Sequence, residues 1–295
     1  MPKVSVILPT CNRPSLLSKA IKSVLNQSYQ DFEIIVVDDG LLERAEDVVK
    51  KINDERIKYI KHEKNLGGGV ARNTGIKNAR GEFVAFLDDD DEWVENKLDL
   101  QIQRLKNSSH DIGFCFSAVK NIYDDKEVVS VVEDGIIDYY EKSLSIFKGV
   151  LTVTMVVKKY VFEDVGYFDE TLPSHQEAEL VIRMSKKFKG IGINEPLANV
   201  LMLSNHNQMG KNINRRIKGR ELVLNKHLDE IKKYPDKLAR HYFWLGLMYR
   251  DNNQYDKARS SFKNAIKINF KPLYFLHYMN ILRILFFGIN RKINN

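Results

Sequence analysis

The first ninety residues alternate between short apolar runs and longer segments in which apolar side chains recur at helical spacing. The runs predict four strands, at 4–8, 33–37, 56–61 and 83–87. Between them the spacing predicts three helices, which begin near Pro14, Glu43 and Val70 and extend to 25, 52 and 79. Strands that alternate with helices in this way predict an α/β fold with a mostly parallel sheet and helices on both faces.

The pattern becomes mixed after Trp93. It predicts a helix at 97–105, a strand at 112–119, a second strand region in the β-branched run 150–157 and a helix at 177–188. The composition turns polar at 203–210, where we expect a domain boundary. The expected organisation is an α/β domain over 1–210 and a small all-α domain over 211–295.

Small and aromatic residues near the C-terminus have the spacing of one tetratricopeptide repeat, which covers about 34 residues. The window is roughly 239–272, and the matching residues are Leu245, Gly246, Tyr249, Ala258, Phe262 and Ala265. Because one repeat cannot bury its own face, helices predicted at 220–232 and 273–287 would complete a bundle. A plain helical hairpin is the alternative.

Composition and charge indicate a globular protein with anionic partners. The 295 residues are 43% hydrophobic and 29% charged, and the formal net charge is +7. The basic excess lies largely in the C-terminal third, which suits nucleotide phosphates or lipid head groups. No nucleic-acid recognition motif is visible, so we expect no nucleic-acid partner.

The sequence predicts a cytoplasmic setting. Cys11 and Cys115 are too few for a disulfide framework. The chain passes from Met1 almost directly into a strand, so we expect no signal peptide. The most apolar stretch, 273–289, is interrupted by polar residues, which favours a packing helix or a helix on a membrane surface over a spanning one. We therefore expect a location in the cytoplasm, with peripheral contact at the inner face of the membrane.

Two acidic clusters directly follow predicted strands. Asp38 and Asp39 follow the second strand, and four aspartates at 88–91 follow the fourth. In an open α/β sheet, ligands bind beyond the carboxyl ends of the strands. Consecutive carboxylates repel one another unless a cation or hydrogen-bond donors hold them, and a divalent cation beside phosphates takes one or two carboxylates. The clusters predict a nucleotide and metal site, with a solvated acidic loop as the alternative.

Four segments resemble those of family 2 glycosyltransferases with the GT-A fold, which are inverting enzymes that use nucleotide sugars. The segments have the same order and spacing and lie at 4–14, 34–40, 71–75 and 86–93. The resemblance covers about 1–210. It implies that Thr10 and Asp39 contact the nucleobase side of the donor and that Arg72 and Arg13 face the nucleotide or its phosphates.

The resemblance also implies a role for each aspartate of the second acidic cluster, 88–91. Asp89 would meet the ribose, Asp90 would bind the metal, and Asp88 would lie close to both, while Asp91 would cap the next helix. The metal, Mn²⁺ or Mg²⁺, would bridge the donor phosphates and offset charge on the leaving nucleoside diphosphate. His206 resembles a histidine that some members bring over the diphosphate and metal.

An inverting enzyme of this family needs one general base, which contributes about 10²–10⁴-fold to the rate. In the family the base is an aspartate at the start of a helix. Alignment on Leu180 and Arg183 puts Glu177 at that position, with Glu179 as the competing candidate. Alternatively, Glu177 only stabilises the N-terminus of its helix.

The expected function is therefore metal-dependent transfer of a sugar from a nucleoside diphosphate donor, with UDP as the favoured nucleotide. The acceptor would be a hydroxyl on a glycan, a lipid-linked sugar or a cell-surface polymer. A degenerate donor-binding domain that acts as an interaction module through its C-terminal helices is the alternative, supported by glutamate in place of aspartate. A nucleotidyltransferase is disfavoured because no glycine-rich loop bearing Lys or Arg lies near the N-terminus.

Overall fold

The computed structural model describes residues 1–42, 45–145, 151–202 and 212–287. The chain divides into two compact units. An α/β unit covers 1–140, 148–171 and 176–207, and a helical unit covers 141–147, 172–175 and 208–295.

The secondary structure consists of strands β1–β10 and helices α1–α12. The strands are β1 Val4–Thr10, β2 Phe32–Asp38, β3 Ile57–Lys61, β4 Phe83–Phe86, β5 Asp91–Trp93, β6 Ile112–Ile122, β7 Glu127–Ser130, β8 Gly135–Ile137, β9 Val156–Lys158 and β10 Lys189–Leu201. The helices are α1 Pro14–Leu25, α2 Glu46–Ile52, α3 Gly68–Asn78, α4 Lys97–Lys106, α5 Tyr140–Ser143, α6 Tyr160–Val165, α7 Gln176–Ser185, α8 Ile213–Lys226, α9 Leu228–Ile231, α10 Pro235–Asp251, α11 Tyr255–Ile268 and α12 Pro272–Phe287.

One sheet joins the strands of the described residues in the order β3-β2-β1-β4-β9-β6-β10-β5. Pairing is parallel from β3 to β4 and between β6 and β10. Strand β9 joins the two parts through antiparallel pairs with β4 and β6. The predicted α/β sheet with flanking helices is therefore confirmed. Strands β1, β2 and β4 are almost wholly buried, as expected for parallel strands covered on both faces.

Close packing of α3 on the sheet brings its N-terminus to the edge where the parallel strands end. A Cβ atom on Gly75 would collide with the side chain of Ile7 in β1, so the glycine lets the helix lie near the strand. Gly67, just before the helix, has φ +91°, a conformation that favours glycine. These two glycines set how α3 approaches the sheet.

Two predictions about elements need correction. The described part of the run 150–157, which begins at 151, is not one strand. Thr152–Thr154 forms a 3₁₀ turn, in which Thr154 Oγ1 donates to Leu151 O at 2.8 Å, and the strand β9 begins only at Val156. The helix predicted at 177–188 ends at Ser185, and the long strand β10 that follows it is not foreseen. Gly190, Gly192 and Pro196 hide this strand in the sequence.

The helical unit contains α8 to α12. Helix α8 begins seven residues earlier than predicted because Asn212 caps it, its side chain accepting from Arg215 N. Helices α10 and α11 cover the predicted repeat window and pack together, with Gly246 against the ring of buried Phe262. That this hairpin is a tetratricopeptide repeat stays a prediction. Among the described residues, no helix combines the length and apolar character that crossing a membrane requires.

Candidate active site

The predicted donor residues gather at one edge of the sheet. Strand β1 lies between β2 and β4 with parallel pairing, so their carboxyl ends meet. Thr10 is the last residue of β1, Asp39 follows β2, and the aspartate cluster follows β4. Residues far apart in sequence therefore converge where an α/β sheet binds its ligands.

Asp89 is the buried centre of this cluster. Its Oδ2 accepts from Thr10 Oγ1 at 2.7 Å, and its Oδ1 lies 2.5 Å from Arg13 Nη2. Arg13 Nη1 also donates to Asp90 Oδ2 at 2.7 Å. Burial raises the pKa of Asp89 to about 7, against the opposing charge of Arg13. One guanidinium thus holds two neighbouring carboxylates together.

Arg72 on α3 holds the third carboxylate. Its Nη2 donates to Asp88 at 2.6 Å, and its Nη1 donates to Gln176 at 3.4 Å. Burial by itself would lower the pKa of Arg72, but the charge and hydrogen bond of Asp88, together with the charges of Glu177 and Asp89, outweigh burial and raise it. The guanidinium also lies 5.8 Å from the centre of the Phe168 ring. A permanently charged fork is therefore fixed beside the aspartate cluster.

Asp39 positions a loop of the protein itself. Its two oxygens accept from His62 Nδ1, Leu66 N and Gly67 N, each at 2.8 Å. These bonds fix the loop that leads into α3 and therefore orient the helix that carries Arg72. Contact between Asp39 and a nucleobase stays a prediction, and the bonds within the protein leave few lone pairs for it.

Three polar residues that the sequence analysis missed support these groups. His62 holds Asp39 and reaches Thr74 Oγ1 at 3.0 Å. Asn73 donates to Phe168 O at 2.9 Å and accepts from Phe168 N at 3.0 Å, which ties α3 to the segment before α7. Gln176 bonds Arg72. A signal existed for His62, because it directly follows β3 as Asp39 follows β2.

The two glutamates at the start of α7 have different environments. Glu179 is fully buried and bound to Arg183, with Nε to Oε1 at 2.9 Å and Nη2 to Oε2 at 2.7 Å. Arg183 in turn donates to the carbonyl oxygens of Val165 and Tyr167, each at 2.6 Å. Glu179 therefore anchors the turn before α7, and it is not available to a substrate.

Glu177 instead interacts electrostatically with Arg72 and Asp88. It is partly exposed. Burial of its carboxyl raises its pKa, and the positive charge of Arg72 opposes this effect. A carboxylate with a raised pKa beside a cationic site has the properties of a general base. The pairing of Glu179 with Arg183 leaves Glu177 as the candidate for that role, and the role itself stays a prediction.

The oxygen donors fit a hard cation only if a ligand completes its coordination. Asp88 and Asp90 each have one oxygen paired with an arginine. Across the described ranges, no three His, Cys, Asp or Glu side chains are grouped so that they could hold a metal ion by themselves. A cation bound beside phosphates takes one or two carboxylates and the phosphate oxygens, which matches this donor set. His206 lies outside the described residues.

The prediction that Asp91 caps the next helix is wrong. Asp91 lies in β5, and its Oδ1 accepts from Leu201 N in β10 at 3.2 Å. The residue at the cap position of α4 is Asn96. Burial raises the pKa of Asp91 well above its usual value, and the neighbouring aspartates raise it further. Asp91 therefore links β5 to β10 at the edge of the sheet and does not cap α4.

Solved structures share this fold. S. aureus TarS 1–349 in complex with UDP-GlcNAc matches 99% of this chain and 94% of that chain, with TM-score 0.71 and 19% identity. A mannosyltransferase from Pyrobaculum calidifontis in complex with GDP-Man and Mn²⁺ matches 97% of this chain and 81% of its own, with TM-score 0.59 and 15% identity. Similarity at this level of identity establishes the fold.

Sequence relatives give closer matches. The amylovoran biosynthesis glycosyltransferase AmsB of Erwinia amylovora is 32% identical over 213 residues, which are 68% of this chain and 70% of AmsB. The Escherichia coli glucosyltransferase WfgD, named for a UDP-Glc donor and a GlcNAc-diphosphoundecaprenol acceptor, is 37% identical over 153 residues, which cover 52% of this chain and 59% of WfgD.

Other relatives are longer. The chain spans 24% and 32% of the length of two rickettsial glycosyltransferases to which it is similar. The family model described as Glycosyl transferase family 2 matches residues 5–128, which include β1 to β6 and the aspartate cluster. Together with the match to AmsB, this shows that the chain belongs to glycosyl transferase family 2.

Proposed function

We propose that this chain transfers a sugar from a nucleoside diphosphate sugar to a hydroxyl group of a lipid-linked or polymer-bound glycan, with inversion at the anomeric carbon. One observation carries the proposal. Arg13 and Arg72 hold three aspartates at the joined ends of β1 and β4, and Glu177 at the start of α7 interacts electrostatically with Arg72 and Asp88.

The arginines are placed to bind the donor diphosphate. Each guanidinium now pairs with a carboxylate, and phosphate oxygens accept the same forked hydrogen bonds. When the diphosphate binds, some N–H groups of Arg72 and Arg13 would exchange their carboxylate acceptors for phosphate oxygens. Asp88 and Asp90 would then be free to hold Mn²⁺ or Mg²⁺, whose charge offsets that of the leaving nucleoside diphosphate.

Glu177 is the proposed general base. A single displacement inverts the anomeric carbon and needs one group to remove the proton of the acceptor hydroxyl. The carboxylate of Glu177 takes that proton on one of its oxygens while the hydroxyl oxygen bonds to the anomeric carbon. The bond from that carbon to the diphosphate oxygen breaks, and the nucleoside diphosphate leaves with the bonding electron pair. Burial raises the pKa of the carboxylate and so makes it more basic, and the positive charge of Arg72 favours its ionised form.

The acceptor class is inferred from relatives. WfgD is named for an acceptor on diphosphoundecaprenol, and AmsB for the biosynthesis of amylovoran. Both names concern glycans under assembly on a lipid or in a polymer. We propose the same class of acceptor for this chain. The cytoplasmic location, which rests on the cysteine content, stays a prediction.

The proposal is tested by thermal unfolding with a panel of nucleoside diphosphates and nucleotide sugars, each with and without Mn²⁺. Ligand binding to the folded state raises the midpoint. We expect one nucleotide to raise it more with Mn²⁺ than without, followed by transfer to a lipid-diphosphate glycan. Proton NMR of the product should then show the anomeric configuration opposite to that of the donor.

Other results would contradict the proposal in distinct ways. Retention of configuration would exclude the single displacement and the role of Glu177. Donor binding without transfer to any acceptor would favour the degenerate interaction module. Release of pyrophosphate from a sugar phosphate and a nucleoside triphosphate would instead indicate a nucleotidyltransferase.

A further inference from the structure

Helix α12 carries a stripe of exposed apolar side chains. Phe275, Leu276, Met279 and Phe286 are 43%, 58%, 38% and 71% exposed. Consecutive members are one, three and seven residues apart, which spreads them over about 100° on one side of the helix. The other side packs inward through Tyr274 and Ile281, which are 4% and 0% exposed. The helix is therefore anchored on one side and presents a hydrophobic surface on the other.

The sequence around this stripe is strongly cationic. After Asp256 the chain contains no further Asp or Glu through Asn295, while it contains eight Lys and Arg residues. Exposed Lys271 immediately precedes the helix, and exposed Arg283 lies within the apolar stripe. Helix α11, which packs on α12, adds exposed Lys263 and Lys267.

The combination of exposed apolar side chains with basic residues favours one kind of binding partner over others. A second copy of the chain would bring two cationic surfaces together, which like-charge repulsion opposes. A nucleic acid would pair with the basic residues but would leave the aromatic and aliphatic side chains without a partner. An anionic bilayer meets both needs, because acyl chains accept the apolar side chains and anionic head groups attract Lys and Arg.

We propose that α12 is a membrane-surface helix that lies in the head-group region of an anionic bilayer with its apolar stripe toward the acyl chains. Its 16 residues are too few to span a bilayer, which needs about 20 apolar residues. The inference rests on α11 and α12 alone and does not depend on the proposed sugar transfer.

The test is sedimentation of the full chain with vesicles of pure phosphatidylglycerol and of pure phosphatidylcholine. The wild-type chain should bind phosphatidylglycerol vesicles and bind phosphatidylcholine at least about tenfold more weakly, because the basic residues lose their attraction. The double substitution of Leu276→Glu with Phe286→Glu should weaken binding to phosphatidylglycerol at least about tenfold.

The matched control is Val131→Glu with Ile136→Glu. These two apolar residues of the α/β unit are 67% and 64% exposed, so the control makes the same change in charge at equally exposed sites. It should bind vesicles within about twofold of the wild-type chain. A second variant, Leu276→Lys with Phe286→Lys, removes the same apolar side chains but adds two positive charges. Its binding should also weaken, because the apolar side chains are lost.

Three results would overturn the proposal. The first is absence of binding to phosphatidylglycerol by the wild-type chain. The second is equal weakening by the control, which would mean that only net charge matters. The third is self-association in light scattering that the α12 substitutions abolish, without vesicle binding, which would assign the stripe to a second copy. As a control for folding, nucleotide should raise the thermal midpoint of every variant as much as it raises that of the wild-type chain. This result would show that the donor site is intact.

Discussion

The different roles of Glu177 and Glu179 can be separated by two matched substitutions, Glu177→Gln and Glu179→Gln. Glu179 is fully buried, and three nitrogen–oxygen contacts of 2.7–3.1 Å join it to Arg183. Removal of one charge of a buried pair costs about 3–5 kcal/mol. The Arg183 side chain is 20% exposed and glutamine keeps one acceptor oxygen, so we expect about 3 kcal/mol, at the low end of that range.

The assay is thermal unfolding of each variant, followed by the rate of sugar transfer. A loss of about 3 kcal/mol lowers the midpoint by about 5 °C for a chain of 295 residues, since the entropy of unfolding is about 2.1 cal/mol/K per residue. Glu179→Gln should therefore unfold at a lower temperature than the wild-type chain. At temperatures below its unfolding transition it should keep the kcat of the wild-type chain. Glu177→Gln should unfold within about 1 kcal/mol of the wild-type chain and lose about 10²–10⁴-fold in kcat.

The opposite pattern would refute this reasoning. If Glu179→Gln kept its midpoint and lost its activity, Glu179 would be the base and its pairing with Arg183 would not describe the working enzyme. If both variants kept full activity, the base would lie elsewhere.

Two further substitutions test the packing of each unit. Burial lowers the pKa of Lys97 from 10.5 to about 7, so between these values the unfolded chain holds a proton that the folded chain has released, and stability rises with pH. Lys97→Met should remove this dependence on pH and raise the free energy of unfolding at pH 7 by about 1–2 kcal/mol. Urea titration at several pH values measures both, and an unchanged pH dependence would contradict the prediction. Gly246→Ala places a Cβ 2.7 Å from the ring of Phe262 and should cost about 1–3 kcal/mol in the same assay, whereas exposed Ser260→Ala should stay within about 0.5 kcal/mol.

The parallel half of the sheet could be predicted because its signals are local. Strands β1, β2 and β4 are continuous apolar runs that end in polar clusters, and the sequence shows both features. Strand β10 could not be predicted, because its pairing with β6 includes shifts in register and its own residues have low strand propensity. Strand β10 is recognised by its pairing with β6 and not by its composition.

The same distinction applies to the site. The sequence places aspartates and arginines at strand ends, but the pairing of Arg13 with Asp89 and Asp90 joins residues more than seventy positions apart. Such pairings depend on side-chain direction after the chain has folded. The choice between Glu177 and Glu179 also stayed open in the sequence, because only the buried contact with Arg183 distinguishes them.

The position of the donor site is tested most directly by calorimetric titration of the stabilising nucleoside diphosphate into the wild-type chain, Arg72→Ala and Arg104→Ala. Arg72 pairs with Asp88 at the proposed phosphate position, while Arg104 is an exposed residue of α4 that serves as the control. We expect binding to the wild-type chain and the control with equal Kd, and a Kd at least about tenfold higher for Arg72→Ala, since a charged hydrogen bond contributes about 1.5–3 kcal/mol. Equal affinity for all three proteins would contradict the placement of the donor site at the aspartate cluster.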